Sequence, residues 1–468
     1  MKKIIALIVA GLMIAATAAC GQTSAPQAPE APQETTGSGQ AEASQEATGE
    51  AGEFDAFIDN FTEPVTLDVA MMWPLNSETD AKSFALNTAL ERLARDYPNI
   101  TVNYDGSVHD DYQTIMMTRS AANSIPDVYN VKGSWLRNFI ANNQIGTVDE
   151  FKALDPDWFN SMYDGCMFDM LVDGKHYGVP FQLITCTLVI YNTEIYSSVG
   201  YDEFPKTWDE LIDCMTKLKD AGYVPIGVGN SGQWVANSTV FGSLGFYGGG
   251  IQWFNDIMNR TGNGFMDAGM LNGVDKMYEL ASLGFFNDNI NSIDHNEVIS
   301  PYLNEQYASY INGSWSLGTL IAVAGDDQSV VDKSGVATLP SFDGAIGPAP
   351  AASIGSGWGQ AYSASLSPAE KYAAYLLIKY TTDEEWCQSL FEKGDFGAIV
   401  GNRDYSQSSP VVQKYVQAYQ SWNAGPLYDC HFDPAVIDSM NMNFQDILAN
   451  NITAEEWGRR VQAEYEIS

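Results

Sequence analysis

Three tryptophans stand in glycine- and serine-rich stretches that offer little to pack against. Trp234 closes Gly229-Asn-Ser-Gly-Gln-Trp234, Trp315 follows Asn312-Gly-Ser, and Trp358 lies in Gly355-Ser-Gly-Trp-Gly359. A fourth, Trp73, leads into Asn76, Ser77 and Glu78. The face of an indole carries negative potential, whereas the axial C–H face of a pyranose is apolar and slightly positive, so such rings suit stacking against sugars. Sugar hydroxyls also need donors and acceptors, and Asn76, Ser77, Asn230 and Gln233 supply them beside Trp73 and Trp234. Trp208, Trp386 and Trp457 stand in first turns of helical patterns and Trp135 opens another, where packing is the expected role. Trp253, after Gly248-Gly-Gly250, is read the same way.

Signals for turnover are few. No G-x-S-x-G elbow, H-E-x-x-H pair or G-x-x-x-x-G-K-[ST] loop occurs. The four histidines, His109, His176, His295 and His431, are scattered and read as solvated surface. Asn287-Asp-Asn-Ile-Asn291 hints at a calcium loop, but no glycine follows Asn291 and Val298 occupies the bidentate-glutamate position, so no metal and no cofactor is expected. A glycosidase needs only two carboxylates, which 59 acidic residues supply many times over, so a secreted carbohydrate-active enzyme stays as an alternative.

The elements that must position these residues begin with Val65, Leu67, Val69 and Met71, the alternation of a strand. Helix 81–97, strand 100–104, helix 110–122 and strand 126–131 follow, an order that implies a parallel sheet with right-handed crossovers. An apolar strand covers 183–191, Thr207 and Glu210 have capping-box spacing before a helix that stops at Gly222, and 224–228 reads as a strand of a second α/β unit. Later helices start at Ser367, Thr382 and Thr453. Trp234 thus lies beyond a strand end, where open α/β sheets bind ligands.

The net charge of −36 opposes association with nucleic acid or anionic lipid. Met1-Lys2-Lys3 and the apolar run 4–16 read as an export signal, too short to span a bilayer. Cleavage has two readings: Ala16-Thr-Ala18 suits plain secretion, and Thr17-Ala-Ala-Cys20 looks like a lipobox, in which Cys20 is lipidated. Residues 21–53, all of them Gly, Ala, Ser, Thr, Gln, Glu or Pro, hold nothing that builds a core and favour the second. They would act as a tether reaching about 30 Å from the membrane. The other five cysteines, Cys166, Cys186, Cys214, Cys387 and Cys430, are odd in number, so at most two disulfides form, and no CxxC pair exists.

By the order and spacing of several blocks, the chain resembles the extracellular solute-binding proteins of family 1, the maltose-binding-protein-like receptors of ABC importers. The blocks are Ile125-Pro-Asp-Val128, Gly146-Thr-Val-Asp-Glu-Phe151, Asp173-Gly-Lys-His-Tyr-Gly-Val-Pro180, Leu188-Val-Ile-Tyr-Asn192 and Phe204-Pro-Lys-Thr-Trp-Asp-Glu-Leu211. Ile311-Asn-Gly-Ser-Trp315, Leu339-Pro-Ser-Phe-Asp-Gly344, Gly355-Ser-Gly-Trp-Gly359 and Gly394-Asp-Phe-Gly397 support them.

The resemblance implies an α/β fold of the two-lobed periplasmic-binding-protein type (type II), with a hinge and an interlobe ligand cleft. The N-terminal lobe is expected at 54–184 and 332–395 and the C-terminal lobe at 192–325 and 405–468, with hinge crossings at 185–191, 326–331 and 396–404. It implies a monomeric receptor that captures a sugar or oligosaccharide and delivers it to ABC permease subunits driven by a separate ATPase, held on the outer face of the cell membrane by a lipid alone. A peptide, polyamine or metal chelate is the alternative cargo on the same architecture. Trp73, Asn76, Ser77, Asn230, Gln233, Trp234, Trp315 and Trp358 then belong to cleft loops, together with Lys132, Ser134, Gln182 and Asp429. Cys20→Ala is expected to move the protein from the membrane fraction to the soluble fraction; a variant that stays with the membrane contradicts the lipid anchor.

Overall fold

The structure, a computed structural model, describes residues 51–468 apart from 59, 78, 400 and 402. The expected signal 1–19, Cys20 and the tether as far as residue 50 lie outside the described residues. The tether reading extends to residue 53, but a helix already runs over Ala51–Ile58. It is held by aromatic packing: Phe54 and Phe57 both lie against Tyr372, with ring centroids 6.1 and 5.6 Å away. No helix among the described residues is long and apolar enough to cross a membrane.

In chain order the strands are β1 (Val65–Met71), β2 (Ile100–Gly106), β3 (Val128–Lys132), β4 (Leu171–Val172), β5 (Lys175–His176), β6 (Val179–Pro180) and β7 (Ile184–Thr185). They continue as β8 (Leu188–Asn192), β9 (Ser309–Asn312), β10 (Ser334–Ala337), β11 (Ala351–Gly355), β12 (Trp358–Tyr362) and β13 (Asn423–Gly425). The first sheet has the order β2-β1-β3-β12-β6. β1 is parallel to both β2 and β3, and β12 runs antiparallel between β3 and β6. The two crossovers carry the helices Ala81–Asp96 and His109–Ala121, as the alternating sequence pattern requires.

Two smaller sheets follow, β10-β8-β9 and β13-β11-β7. The apolar run 183–191 is therefore two strands rather than one: β7 pairs with β11, while β8 lies between β9 and β10. The expected strand at 224–228 makes isolated parallel bridges, Val224 to Tyr307, Ile226 to Phe286 and Gly227 to Tyr310. The capping boxes at Thr207 and Ser367 are present. The helix expected to start at Thr382 is instead capped by Asp383, whose carboxylate accepts from the Trp386 N–H.

Apolar side chains gather in two large cores. One is built from residues 54–181 with 358–399 and the other from residues 189–461. Leu339, Phe342 and Ala351 lie in the second core, although the sequence reading groups 332–395 with the first lobe. The cause is strand pairing, because β10 joins β8 edge to edge and draws the following residues with it. The chain thus passes back to the first core between β11 and β12, at Gly355–Gly357, and not at 326–331, where Val330 and Val331 pack in a third cluster with Tyr310 and Tyr415. All five described cysteines are buried and unpaired.

Trp457 is fully buried against Phe444, Phe241 and Phe265 at 4.7, 5.9 and 6.1 Å between rings. Trp457→Ala is expected to destabilise the protein by about 3–5 kcal/mol, read as a lower melting temperature, while ligand affinity stays unchanged.

Candidate functional site

A cavity of about 580 Å³ opens between the two cores, within the range of roughly 300–1,000 Å³ usual for small-molecule sites. Its walls form where strands of the first sheet end. β1 runs out into Met72 and Trp73, and Asn130 fixes that exit by accepting the Met72 N–H at 3.0 Å. Trp73 is edge-on to Phe181 at 4.7 Å and tilted against Trp386 at 5.9 Å, so it lines the cavity from a packed aromatic nest. Asn76 and Ser77 follow on the rim. Lys132 ends β3, and the antiparallel register sets Trp358 of β12 directly opposite it. That pairing places both side chains on one face of the sheet. Gln182 donates to the Ser356 carbonyl at 2.7 Å and joins the lining beside Gly357.

The opposite wall is Trp234, packed on the second core, with Trp315 beside it on a small cluster of Ile184, Cys186, Leu427 and Cys430. Trp234 and Trp315 lie 5.9 Å apart, both half-buried. Gly313 is required beneath Trp315, since a Cβ there would sit 2.1 Å from the indole. A Cβ at Gly232 would meet an Asp110 carboxylate oxygen at 2.5 Å and the Trp234 indole at 3.0 Å, so it would press on the contact between those two side chains. A π-helical turn over Ala236–Phe241 carries Ser238 to the cavity floor, a local irregularity of the kind that recurs at functional sites. There Asp429 accepts from Ser238 at 2.9 Å and from Lys132 at 2.7 Å.

Nine sequence-selected residues are therefore brought together: Trp73, Asn76, Ser77, Lys132, Gln182, Trp234, Trp315, Trp358 and Asp429. Asn230, Gln233 and Ser134 lie outside the lining. Asn230 is fully buried, with its amide donating to Asn291 and its carbonyl oxygen accepting from the Ala236 N–H, so it shapes the loop that presents Trp234. Gln233 is exposed and takes the left-handed conformation at φ 67° that lets the loop turn. Ser134 lies in the 3-10 turn Gly133–Trp135, which buries Trp135 against Trp358 instead.

The histidines are what the sequence reading missed. None is simply a solvated side chain, because each faces an aspartate: His109 with Asp110, His176 with Asp149, His295 with Asp294 and His431 with Asp169. His109 and His295 both line the cavity and lie against Trp234, each 5.2 Å between ring centres. The Trp234 indole N–H donates to Asp110 at 3.2 Å, which links the loop of the second core to a helix of the first. A signal existed for His109: it opens the helix after β2, the same strand-end position that makes Trp73 and Lys132 candidates. His295 carried none, since only folding brings it to Trp234.

These surroundings set the charge states. Burial pushes the His109 imidazole down, against the opposing pull of Asp110. The hydrogen bond from His109 holds the Asp110 carboxyl below its usual range. Burial alone would lift the Asp429 carboxyl and lower the Lys132 ammonium, but their pairing reverses both, so the ion pair persists across the neutral range. Burial likewise opposes ionisation of Asp294, yet the bond and charge of His295, with backbone N–H groups of Asn296 and His295, bring it from 3.8 to about 2. A carboxyl lowered by folding contributes stability that is present above its unfolded value and is lost as pH falls through the folded one. Asp294→Asn is therefore expected to melt at a lower temperature than the parent at pH 5 and to converge with it near pH 2. Melting curves that stay parallel across that window contradict the assignment.

The family model for bacterial extracellular solute-binding proteins matches residues 76–386. An uncharacterized ABC transporter extracellular-binding protein of Pyrococcus horikoshii is 23% identical over 199 residues, 41% of this chain and 43% of that protein. A maltotriose-binding protein of Pyrococcus abyssi is 25% identical over 259 residues, 53% of this chain and 50% of that protein. The chain thus spans about half the length of these curated relatives. Among solved structures, a chitin oligosaccharide binding protein superposes with a TM-score of 0.76 at 21% identity, over 86% of this chain and 98% of that one; at that identity the likeness speaks to the fold. With the family match covering most of the folded part, the chain belongs to the bacterial extracellular solute-binding proteins.

Proposed function

We propose that this chain is the substrate-binding lipoprotein of an ABC importer, and that it captures a sugar or short oligosaccharide between its lobes for delivery to membrane permease subunits. The observation that carries the reading is the aromatic wall. Trp234 lines the cavity from the second core with Trp315 beside it, and Trp358 lines it from the first, so a pyranose entering from solvent finds indoles on both sides. Polar groups among them, Asn76, Ser77, Gln182 and Ser238, can exchange hydrogen bonds with ring hydroxyls. The relative named for maltotriose and the structural neighbour named for chitin oligosaccharides support a carbohydrate cargo. Cys20 and the core-poor residues behind it support a lipid tether on the outer face of the membrane. The permeases and their ATPase are separate chains, and the receptor acts as a monomer.

Lobe closure fits this role. Ligand shifts the balance between open and closed forms only as far as it prefers the closed one, and groups on both walls supply such a preference. Calorimetric titration against mono- and oligosaccharides tests the reading directly. Removing a stacking indole forfeits apolar contact and an aromatic contribution of about 0.5–1.5 kcal/mol, and each 1.4 kcal/mol is about tenfold in affinity. Trp234→Ala and Trp315→Ala are expected to bind the best saccharide at least tenfold more weakly with melting temperatures little changed. Unchanged affinity in both variants removes the sugar-plate assignment.

A further inference from the structure

The described lining of the cleft contains five aspartates, two lysines and no arginine. Both lysines are already engaged: Lys132 pairs with Asp429 at 2.7 Å, and Lys82 pairs with Asp395. Both are buried, as are their stems. The remaining carboxylates, Asp80, Asp110 and Asp294, have no lysine or arginine ion-pair partner among the described residues. Asp80 caps the helix Ala81–Asp96 by accepting the Lys82 N–H at 2.8 Å. Asp110 and Asp294 face His109 and His295, the two imidazoles that flank Trp234. Burial favours the neutral form of His109, so it supplies no countercharge near pH 7. The indole faces add to the same field, because an aromatic quadrupole attracts cations and repels anions.

From this arrangement we infer that the cleft selects against acidic saccharides and accepts neutral or amino-bearing ones. The inference rests on the sugar-binding reading above and narrows its substrate class. A carboxylate-bearing sugar would leave water for a cavity whose ammonium groups are taken and whose free field is negative. It would have to displace Asp429 from Lys132 or Asp395 from Lys82, stranding a buried carboxylate in either case. A neutral sugar meets no such opposition, and a protonated amino sugar gains from both the carboxylates and the indole faces.

The test is calorimetric titration of the purified protein at pH 7 with maltotriose, triacetylchitotriose, its deacetylated glucosamine trimer, trigalacturonate and spermidine. The expected result is that a neutral or amino trisaccharide binds at least tenfold more tightly than trigalacturonate. The double variant Asp110→Asn/Asp294→Asn, checked for cooperative melting, is expected to narrow that gap severalfold; Asp294→Asn alone serves if the double variant fails to fold. Trigalacturonate binding as tightly as the neutral sugars overturns the inference while leaving the sugar reading in place. A gap unchanged in a well-folded variant also overturns it, as the discrimination would then not come from these carboxylates. Binding of spermidine with no trisaccharide bound at all overturns the sugar reading instead and leaves selection by charge standing.

Discussion

Lys132 and Asp429 are 297 positions apart in the chain, and their charges meet out of water at the floor of the cleft. Neither is tolerable alone there, since an unpaired buried ion costs several kcal/mol. The pair therefore couples the end of β3 to the turn at Tyr428–Cys430, and with it the first core to the second. Around it the irregular features acquire a reason. The π-helical turn at Ala236–Phe241 brings a hydroxyl to the same Asp429 oxygen that accepts from Lys132. The strand register sets Trp358 opposite Lys132, on the same face of the sheet.

What could be read from the sequence was local. Thr207 and Ser367 announce their helices because a capping box closes within four residues. Trp234 and Trp315 stand out because glycine and serine neighbours cannot enclose an indole; Trp358 carried the same signal, yet Tyr112 and Trp135, distant in sequence, bury it in the first core. Asn230 misled for an equally local reason: a polar residue beside a cavity-facing tryptophan looks like a ligand group, yet its amide is what holds the loop. The assignment of 332–355 failed because lobe membership is decided by which strand edge is free to pair, and β10 finds β8 across more than 140 residues. His109 and His295 illustrate the same limit, since their neighbourhood around Trp234 exists only after both lobes have formed.

The acidity of the chain also looks different in three dimensions. A net charge of −36 reads at first as a statement about solubility and about partners to be avoided. Inside the cleft the same excess becomes specific, because aspartates pair with lysines, with histidines and with helix N–H groups in separate places. Aromatic rings are interleaved with those groups, so apolar surface and fixed charge are presented together. Sequence composition could not distinguish this from a uniformly acidic surface.

Asp169 extends the consequence beyond the binding surface. One of its oxygens accepts the Ser356 and Gly357 N–H groups at 2.7 and 2.9 Å, on the segment that leads from β11 to β12, while the other meets His431 at 3.0 Å. The crossing is thus keyed to the stretch that holds Asp429, two residues from His431. One carboxylate thus fixes both the Ser356–Gly357 backbone of the crossing and the stretch that supplies the cleft-floor carboxylate.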